Sequence, residues 1–354
     1  MCAPELCPPA RGMSIVEVMV GMVVGLLVSI AAAGSAAMFT AAQRQGIGTG
    51  GAVVNAGSAL AAMKDDTASA GLGFFGDSKF LCERLNLSVG TSVVVDGGTF
   101  TPVGITAGAS NDRIDVVYGT QVVSGTNVLL NAASTGAAAE LRSLLPASAA
   151  QAVLLAPASP GDPCLVRSIT AVTDSTTDLP QSLTFGAAGN YNQAAFTMPV
   201  TYPDKGRVTL LGELRWSRYR VSGTDLLLEQ PLAGSSVALA RNVVAMRAQY
   251  GLAASAAGST ALETWQSASA AFATLTPALL PQVRALRIGV VTRSPQAEKR
   301  NAAGNCEATT AMPSLFGQAV TADVTDWQCY RYRTAIAVVP LRNLVMGITP
   351  GAAP

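Results

Sequence analysis

The sequence has 354 residues, of which 49% are apolar and 13% are charged, with a formal net charge of +1. This length and composition suffice for one large core or two smaller ones, and the charge gives no overall field that would attract nucleic acid or an acidic partner. Histidine is absent, which excludes histidine-dependent catalytic triads and histidine-ligated zinc. No phosphate-binding glycine motif occurs either, and we expect no enzyme activity, no cofactor and no metal site.

The first apolar element follows a short proline-rich segment, residues 1–12, that is unfavourable for a helix. No charged residue occurs over the 25 positions from Val18 to Ala42. A helix of that length extends about 37 Å, more than the roughly 30 Å hydrocarbon core of a bilayer. A removable signal peptide would have an apolar core of only about 7–15 residues. We therefore expect a transmembrane helix over residues 13–42, with Arg11 cytoplasmic and the chain beyond about Arg44 outside.

One acidic residue, Glu17, interrupts the apolar stretch near its start. An ionised carboxylate inside the hydrocarbon is unfavourable by a few kcal/mol, so Glu17 either reaches the headgroup region or has a partner. Gly21 and Gly25 are four residues apart and form a small-xxx-small pair. Such a pair permits close packing of helices, although glycines are also ordinary in membrane helices.

The segment Arg11-Gly12-Met13-Ser14-Ile15-Val16-Glu17 resembles the N-terminal signal of type IV prepilins and of type II secretion pseudopilins. The resemblance implies a leader over residues 1–12, cleavage after Gly12 by a prepilin peptidase and N-methylation of Met13. It also implies that Glu17 sets the docking of subunits by pairing with the terminal amine of a neighbour. Two features depart from the family pattern: Met13 stands where phenylalanine is usual, and the leader has few basic residues. Initiation at Met13 would remove the cleavage site, whereas the glycine at position 12 favours initiation at Met1.

The helical pattern continues beyond the membrane segment, because apolar residues recur at helical spacing at Val53, Ala56, Leu60 and Met63. We expect this continuation over residues 43–76, with a bend or local melting at Gly46, Gly48, Gly50 and Gly51 and an end in the glycine-rich segment 71–76. Its apolar stripe requires a sheet to cover it. Residues 77–354 are accordingly expected to form an extracytoplasmic β-rich domain.

Short apolar runs separated by turn residues predict strands from about residue 88 onward. The clearest is a hairpin of strands 215–221 and 226–229, joined by residues 222–225. The other predicted strands are 88–95, 99–105, 113–118, 127–131, 151–156, 164–172, 243–250, 284–293 and 330–339. Residues 253–282 are expected to form a surface excursion around Trp265 with a short helix. The expected fold class is α+β, with a long N-terminal transmembrane helix packed on an antiparallel sheet.

Five segments in their order along the chain, 111–118, 226–229, 242–250, 283–294 and 340–343, resemble the PilW family of minor pilins. The resemblance implies a pilin-like fold and a non-catalytic subunit of the initiation or tip complex of a type IV pilus. The implied partners are other major and minor pilins, the prepilin peptidase and the inner-membrane assembly platform. The implied location is the bacterial inner membrane, as a single-pass protein with a periplasmic domain, and then the pilus at the cell surface. The alternatives are a J-like minor pseudopilin of type II secretion and a membrane-tethered adhesion or binding domain that does not polymerise.

Four cysteines remain outside the predicted leader: Cys82, Cys164, Cys306 and Cys329. An even number outside the cytoplasm indicates disulfides, for which three pairings exist, with free buried thiols as the alternative. The absence of histidine and of C-x-x-C spacing argues against a metal site. The favoured pairing joins Cys306 to Cys329, closing a loop that resembles the D-region of pilins, and Cys82 to Cys164.

Arginine alternates with aromatic residues in segments 215–220 and 330–333. This pattern can bind single-stranded nucleic acid, but arginine stems that cover aromatic edges on a solvated strand produce it as well. We therefore expect no nucleic-acid partner. The acid pairs Asp65-Asp66 and Asp112/Asp115 are expected at helix ends and turns, because catalytic or metal-binding roles would need further partners.

Overall fold

The computed structural model describes residues 14–77, 80–121, 128–158, 161–177, 179–254 and 261–345. The chain divides into two compact units, Met1–Gly50 and Gly51–Pro354.

The described part of the first unit is helical from Ile15, where helix α1 (Ile15–Ala68) begins. Within it, Ile15–Thr40 forms 26 residues with a mean hydropathy of 2.5, long and apolar enough to cross a membrane. The helix is continuous through Gly46, Gly48, Gly50 and Gly51, so the predicted melting at these glycines is wrong. A glycine lowers helix stability by only about 1 kcal/mol relative to alanine and leaves the backbone hydrogen bonds possible.

Helix α1 ends at Ala68 instead of extending to Gly76. The following turns contain Gly71 and Gly73 at φ +78° and +88°. These left-handed conformations cannot continue a right-handed helix, and glycine adopts them without a steric penalty.

The second unit contains 22 strands and a short final helix among the described residues. The first eleven strands are β1 (Phe75–Asp77), β2 (Phe80–Leu81), β3 (Arg84–Val89), β4 (Ser92–Thr99), β5 (Val103–Thr106), β6 (Arg113–Gly119), β7 (Val128–Leu129), β8 (Ala138–Leu141), β9 (Ala152–Ala156), β10 (Cys164–Ser168) and β11 (Ala171–Thr173). The others are β12 (Gln181–Thr184), β13 (Arg207–Gly212), β14 (Leu214–Ser222), β15 (Asp225–Gln230), β16 (Ser235–Ala240), β17 (Val243–Leu252), β18 (Thr264–Ser267), β19 (Val283–Arg293), β20 (Ser314–Leu315), β21 (Gln318–Ala319) and β22 (Tyr332–Pro340), followed by α2 (Arg342–Val345).

Two antiparallel sheets cover the apolar stripe of the second half of α1. Their strand orders are β16-β15-β14-β6-β5 and β18-β17-β19-β22. Ala56, Ala59 and Met63 of the helix are buried in one core with residues from both sheets. This arrangement, an N-terminal apolar helix with a mostly antiparallel β domain, confirms the expected α+β fold class.

A further pair of sheets is built from residues 84–212, with strand orders β4-β3-β10-β9-β13-β7 and β11-β12-β8. The six-stranded sheet contains one parallel pair, β10 with β3, in which Cys164 lies opposite Leu85. A separate apolar core includes Leu130, Tyr202 and Leu183.

The predicted hairpin is confirmed, since β14 and β15 pair in antiparallel register with Ser222 opposite Asp225. The single strand predicted over 88–95 is wrong, because the chain reverses at Gly90, whose φ is +56°. The strand predicted over 164–172 is likewise divided between β10 and β11. In the predicted surface excursion 253–282, the described residues form β18 and two short 3-10 helices, Ala270–Phe272 and Leu280–Gln282.

Candidate assembly site

The start of helix α1 carries a capping box made by Ser14 and Glu17. The backbone N–H of Ser14 donates to Oε2 of Glu17 at 3.1 Å, and Oγ of Ser14 accepts from the N–H of Val16 at 3.3 Å. The Ser14 carbonyl accepts the first helical bond from Val18 at 3.2 Å. Two N–H groups at the start of the helix are thereby satisfied reciprocally.

Sequence reasoning gave Glu17 only a partner from another subunit and missed this local one. The signal was present, because Ser-x-x-Glu before an apolar run is the sequence pattern of a capping box. Glu17 therefore has two separable properties: an acceptor oxygen for its own helix and a negative charge at the edge of the apolar segment. Gly12 and Met13 lie outside the described residues, so cleavage, methylation and an amine partner for Glu17 stay predictions.

Gly21 and Gly25 lie on an uncovered surface of the helix. Apart from the adjoining residues and the nearby backbone of its own helix, a Cβ placed at either position would meet no described atom within 4 Å. The carbonyl of Gly25 accepts from Oγ of Ser29 at 2.8 Å, so this hydroxyl is satisfied inside the apolar segment. Large apolar side chains such as Ile15 and Phe39 are also exposed, by 79% and 70%. No described residue of this unit covers the surface of Ile15–Thr40, and a lipid or helix environment suits it.

The C-terminal end of α1 is held through Asp66. Its carboxylate accepts from the hydroxyl of Tyr118 at 2.7 Å and from that of Tyr219 at 2.6 Å. Burial, together with the nearby carboxylate, raises the pKa of Tyr118 to about 12 and that of Tyr219 further. Both hydroxyls therefore stay protonated as donors, and they fix the helix end to strands β6 and β14.

The C-terminal Leu-Arg-Asn segment meets the same helix end. The side-chain amide of Asn343 donates to the carbonyls of Ser69 and Ala70 at 3.2 and 3.1 Å. Leu341 and Leu344 are buried in the core that contains the helix. These contacts join the Leu-Arg-Asn segment to the turn that follows the end of α1.

The remaining acids serve structural contacts. Asp112 is buried, with its carboxylate 2.9 Å from Arg247. Asp115 lies within β6, not in the expected turn, and accepts from Arg113, Trp216 and Arg218 at 2.9, 3.0 and 2.6 Å. Asp115 thus pairs with Arg218. The other arginines of the arginine–aromatic segments with acidic partners pair as Arg215 with Glu213, Arg220 with Glu229 and Arg331 with Glu298. Four arginines of these segments therefore have acidic partners within the chain.

Both favoured disulfides are confirmed. Cys82 pairs with Cys164, with the Cα atoms 5.8 Å apart, and Cys306 pairs with Cys329, with the Cα atoms 4.7 Å apart. The first joins the chain just before β3 to the start of β10 in the parallel pair. The second closes a segment, residues 306–329, that we name the disulfide loop.

The described chain is thus an α+β protein with one N-terminal helix able to cross a membrane and an antiparallel β domain packed on its continuation. Residues 213–343 match the family model of PilW, the type IV pilus-assembly protein W. The match confirms the resemblance to this family for the C-terminal part of the chain.

A solved structure of a type IV-like pilin from Thermus thermophilus is also similar, with 10% sequence identity and a TM-score of 0.31. The alignment covers 81% of this chain and 94% of that chain. A comparison with curated proteins gives no significant match.

Proposed function

We propose that this protein is a non-catalytic minor pilin that takes part in type IV pilus assembly, in the initiation or tip complex. The observation that carries the proposal is an apolar helix with a single acid at its start, on a chain whose residues 213–343 match the PilW family. An uncovered 26-residue apolar helix holds the precursor in the inner membrane, with the β domain in the periplasm. The same helix then enters the filament, with other pilins and the assembly platform as partners.

In this proposal a prepilin peptidase cleaves after Gly12, and the new amine of Met13 is methylated. The charge of Glu17 then pairs with the amine of a neighbouring subunit. A carboxylate–ammonium pair in a low-dielectric setting is favourable when its geometry is good and its other polar groups are satisfied. The capping bond from Ser14 supplies one such satisfied group.

The capping box allows a sharp test of the role of the Glu17 charge. Glu17→Gln keeps an acceptor oxygen for the Ser14 N–H but removes the charge, whereas Ser14→Ala removes the Oγ contact to Val16 and keeps the charge. If the charge drives docking, Glu17→Gln loses incorporation into sheared pili and Ser14→Ala retains it. If Glu17 acts only as a helix cap, Ser14→Ala is the more harmful change, since loss of a cap costs about 0.5–2 kcal/mol.

Each variant is quantified in the membrane and in the pilus fraction. Ser35→Ala is a mid-helix control, because the Ser35 hydroxyl donates to the Ala31 carbonyl of its own helix. Mass spectrometry of the pilus-derived protein should find methylated Met13 as its first residue. Normal incorporation of Glu17→Gln, or a functional protein that keeps residues 1–12, would contradict the proposal. A secretion defect on deletion, with pili intact, would instead favour a type II secretion pseudopilin.

A further inference from the structure

The outer face of the four-stranded sheet carries a row of side chains that the proposed function does not use. Ser267, Gln249, Arg287 and Val338 lie opposite one another on β18, β17, β19 and β22. Their sequence neighbours Ala248, Leu286 and Ile288 belong to the core that contains α1. Because side chains alternate between the faces of a sheet, the row faces away from that core. We name these four residues the outer row.

Arg287 is held between two aromatic rings. Its guanidinium carbon lies 4.6 Å from the centre of the Trp265 ring and 4.3 Å from that of Phe316. Glycines make room for both rings, because a Cβ at Gly251 would lie 2.9 Å from the Trp265 ring and one at Gly289 would lie 3.0 Å from that of Phe316. These contacts fix the plane of the guanidinium and leave its edge for hydrogen bonding.

The backbone conformation of a tight turn positions the Phe316 ring against Arg287. Phe316 has φ +52° and Gly317 has φ +80°, at the turn of the β20–β21 hairpin within the disulfide loop. A left-handed conformation costs a non-glycine residue roughly 1–2 kcal/mol. The strained conformation therefore occurs at Phe316, the residue whose ring contacts Arg287.

Arg287 has no acidic partner among the described residues. One of its terminal nitrogens donates to the side-chain carbonyl of Gln249, whose amide donates to Ser267 at 2.9 Å. The Nε of Arg287 is buried and has no hydrogen-bond partner in the part of the chain that the structure describes. Two other arginines of the same sheet face do have acids: Arg247 pairs with Asp112 at 2.9 Å and Arg293 with Asp323 at 3.0 Å. Burial lowers the pKa of Arg287, as expected for a desolvated cation without a carboxylate.

Exposed aliphatic side chains lie beside this cation. Val338 is directly opposite Arg287 and Ile336 is opposite Gly289, and they are 49% and 53% exposed. Both belong to β22, the edge strand of the sheet. An uncompensated cation bordered by exposed aliphatic groups is complementary to a carboxylate with apolar neighbours.

We propose that the outer row and Ile336 form a docking surface for a segment of a different protein subunit that presents an Asp or Glu carboxylate between aliphatic side chains. The carboxylate would bind the guanidinium group of Arg287, and its neighbours would pack on Val338 and Ile336. This surface belongs to the β domain, so the proposal does not depend on leader cleavage or on Glu17.

Val338→Glu tests the proposal, because it places a carboxylate opposite Arg287 within the same chain. The matched control is Val237→Glu, a change at a valine 59% exposed on the edge strand β16 of the other sheet. If Arg287 lacks a counter-ion, Val338→Glu raises the thermal midpoint of the full-length protein and Val237→Glu does not. An equal effect of both changes on the midpoint would overturn the assignment of Arg287 as uncompensated.

Binding is measured with a photo-cross-linking residue at position 336 of the full-length chain in its native host. We expect an adduct with an acidic peptide of another subunit, reduced about tenfold by Val338→Glu and by Arg287→Gln, and partly retained in Arg287→Lys. Changing the cross-linked acid to arginine should abolish the adduct, and Arg287→Glu should restore it. The proposal would be overturned if no adduct forms, or if these changes leave the amount of adduct unaltered. An adduct with a second copy of this chain would also overturn it. Protease resistance of each variant, compared with the wild type, separates lost binding from lost folding.

Discussion

Replacing Asp66 by alanine tests whether its two tyrosine contacts hold the end of α1 to the β domain. The change removes two hydrogen bonds of 2.7 and 2.6 Å to a carboxylate, each contributing about 2 kcal/mol. Alanine is the better helix former, and loss of an acid near a helix C-terminus is favourable by up to about 1 kcal/mol. The expected net loss in the free energy of unfolding is therefore about 3 kcal/mol.

Asp65→Ala is the matched control, because Asp65 is an exposed acid in the same turn of the helix. The Asp65→Ala change brings the same stabilisation from helix propensity and from loss of the negative charge. The Asp65 side chain, however, has no hydrogen bond to Tyr118 or Tyr219. Urea unfolding of the full-length protein in a non-ionic detergent, followed by tryptophan fluorescence, gives both values. Stabilities of the two variants that agree within about 0.5 kcal/mol would refute the reasoning.

Three further predictions concern stability and assembly. Serine at Cys82 and Cys164 should lower the free energy of unfolding by about 4 kcal/mol, since the disulfide spans a sequence separation of 82 residues; urea midpoints of the double variant unchanged from the wild type would contradict this. Burial raises the pKa of both Tyr118 and Tyr250 to about 12, above the roughly 10 of an unfolded chain. The contribution of these two tyrosines to stability should therefore be constant below pH 10 and fall between pH 10 and 12, by up to about 2.7 kcal/mol for each. Urea midpoints from pH 8 to 11 measure this fall, and a smaller slope in Tyr118→Phe checks the assignment. Gly25→Leu should leave the melting of the β domain unchanged but reduce the amount of protein in sheared pili, because the surface around Gly25 is free for a neighbouring helix; unchanged incorporation would show that no helix packs closely there.

The elements that could be predicted from the sequence are those specified by local pattern. The apolar segment of α1 depends on composition alone, and the β14–β15 hairpin depends on strand residues on both sides of a glycine turn. The reversal at Gly90 was missed, because Val93 and its neighbours continue the apolar run on the other side of the turn. The helix end at Ala68 depends on the left-handed Gly71 and Gly73, and glycine in a sequence does not report its φ.

The contacts that connect distant segments could not be predicted. Asp66 is 52 residues from Tyr118 and 153 from Tyr219, and no local pattern brings these side chains together. The surroundings of Arg287 could not be predicted either, because in the sequence it does not differ from other polar residues of a predicted strand. That no described acid pairs with Arg287 is visible only when its neighbours on β17 and β22 are known.

The capping box changes the physical account of Glu17. The sequence predicts that Glu17 either reaches the headgroup region or pairs with a neighbouring subunit. In the structure, its Oε2 accepts from the Ser14 N–H, which lowers the penalty of the unassembled state. That bond also holds the carboxylate at the first turn of the helix. A carboxylate has two oxygens with about four acceptor sites, so the cap and an amine partner do not compete for one lone pair. Docking through the Glu17 charge therefore requires no loss of the cap, and for this reason the Glu17→Gln and Ser14→Ala variants separate the two roles.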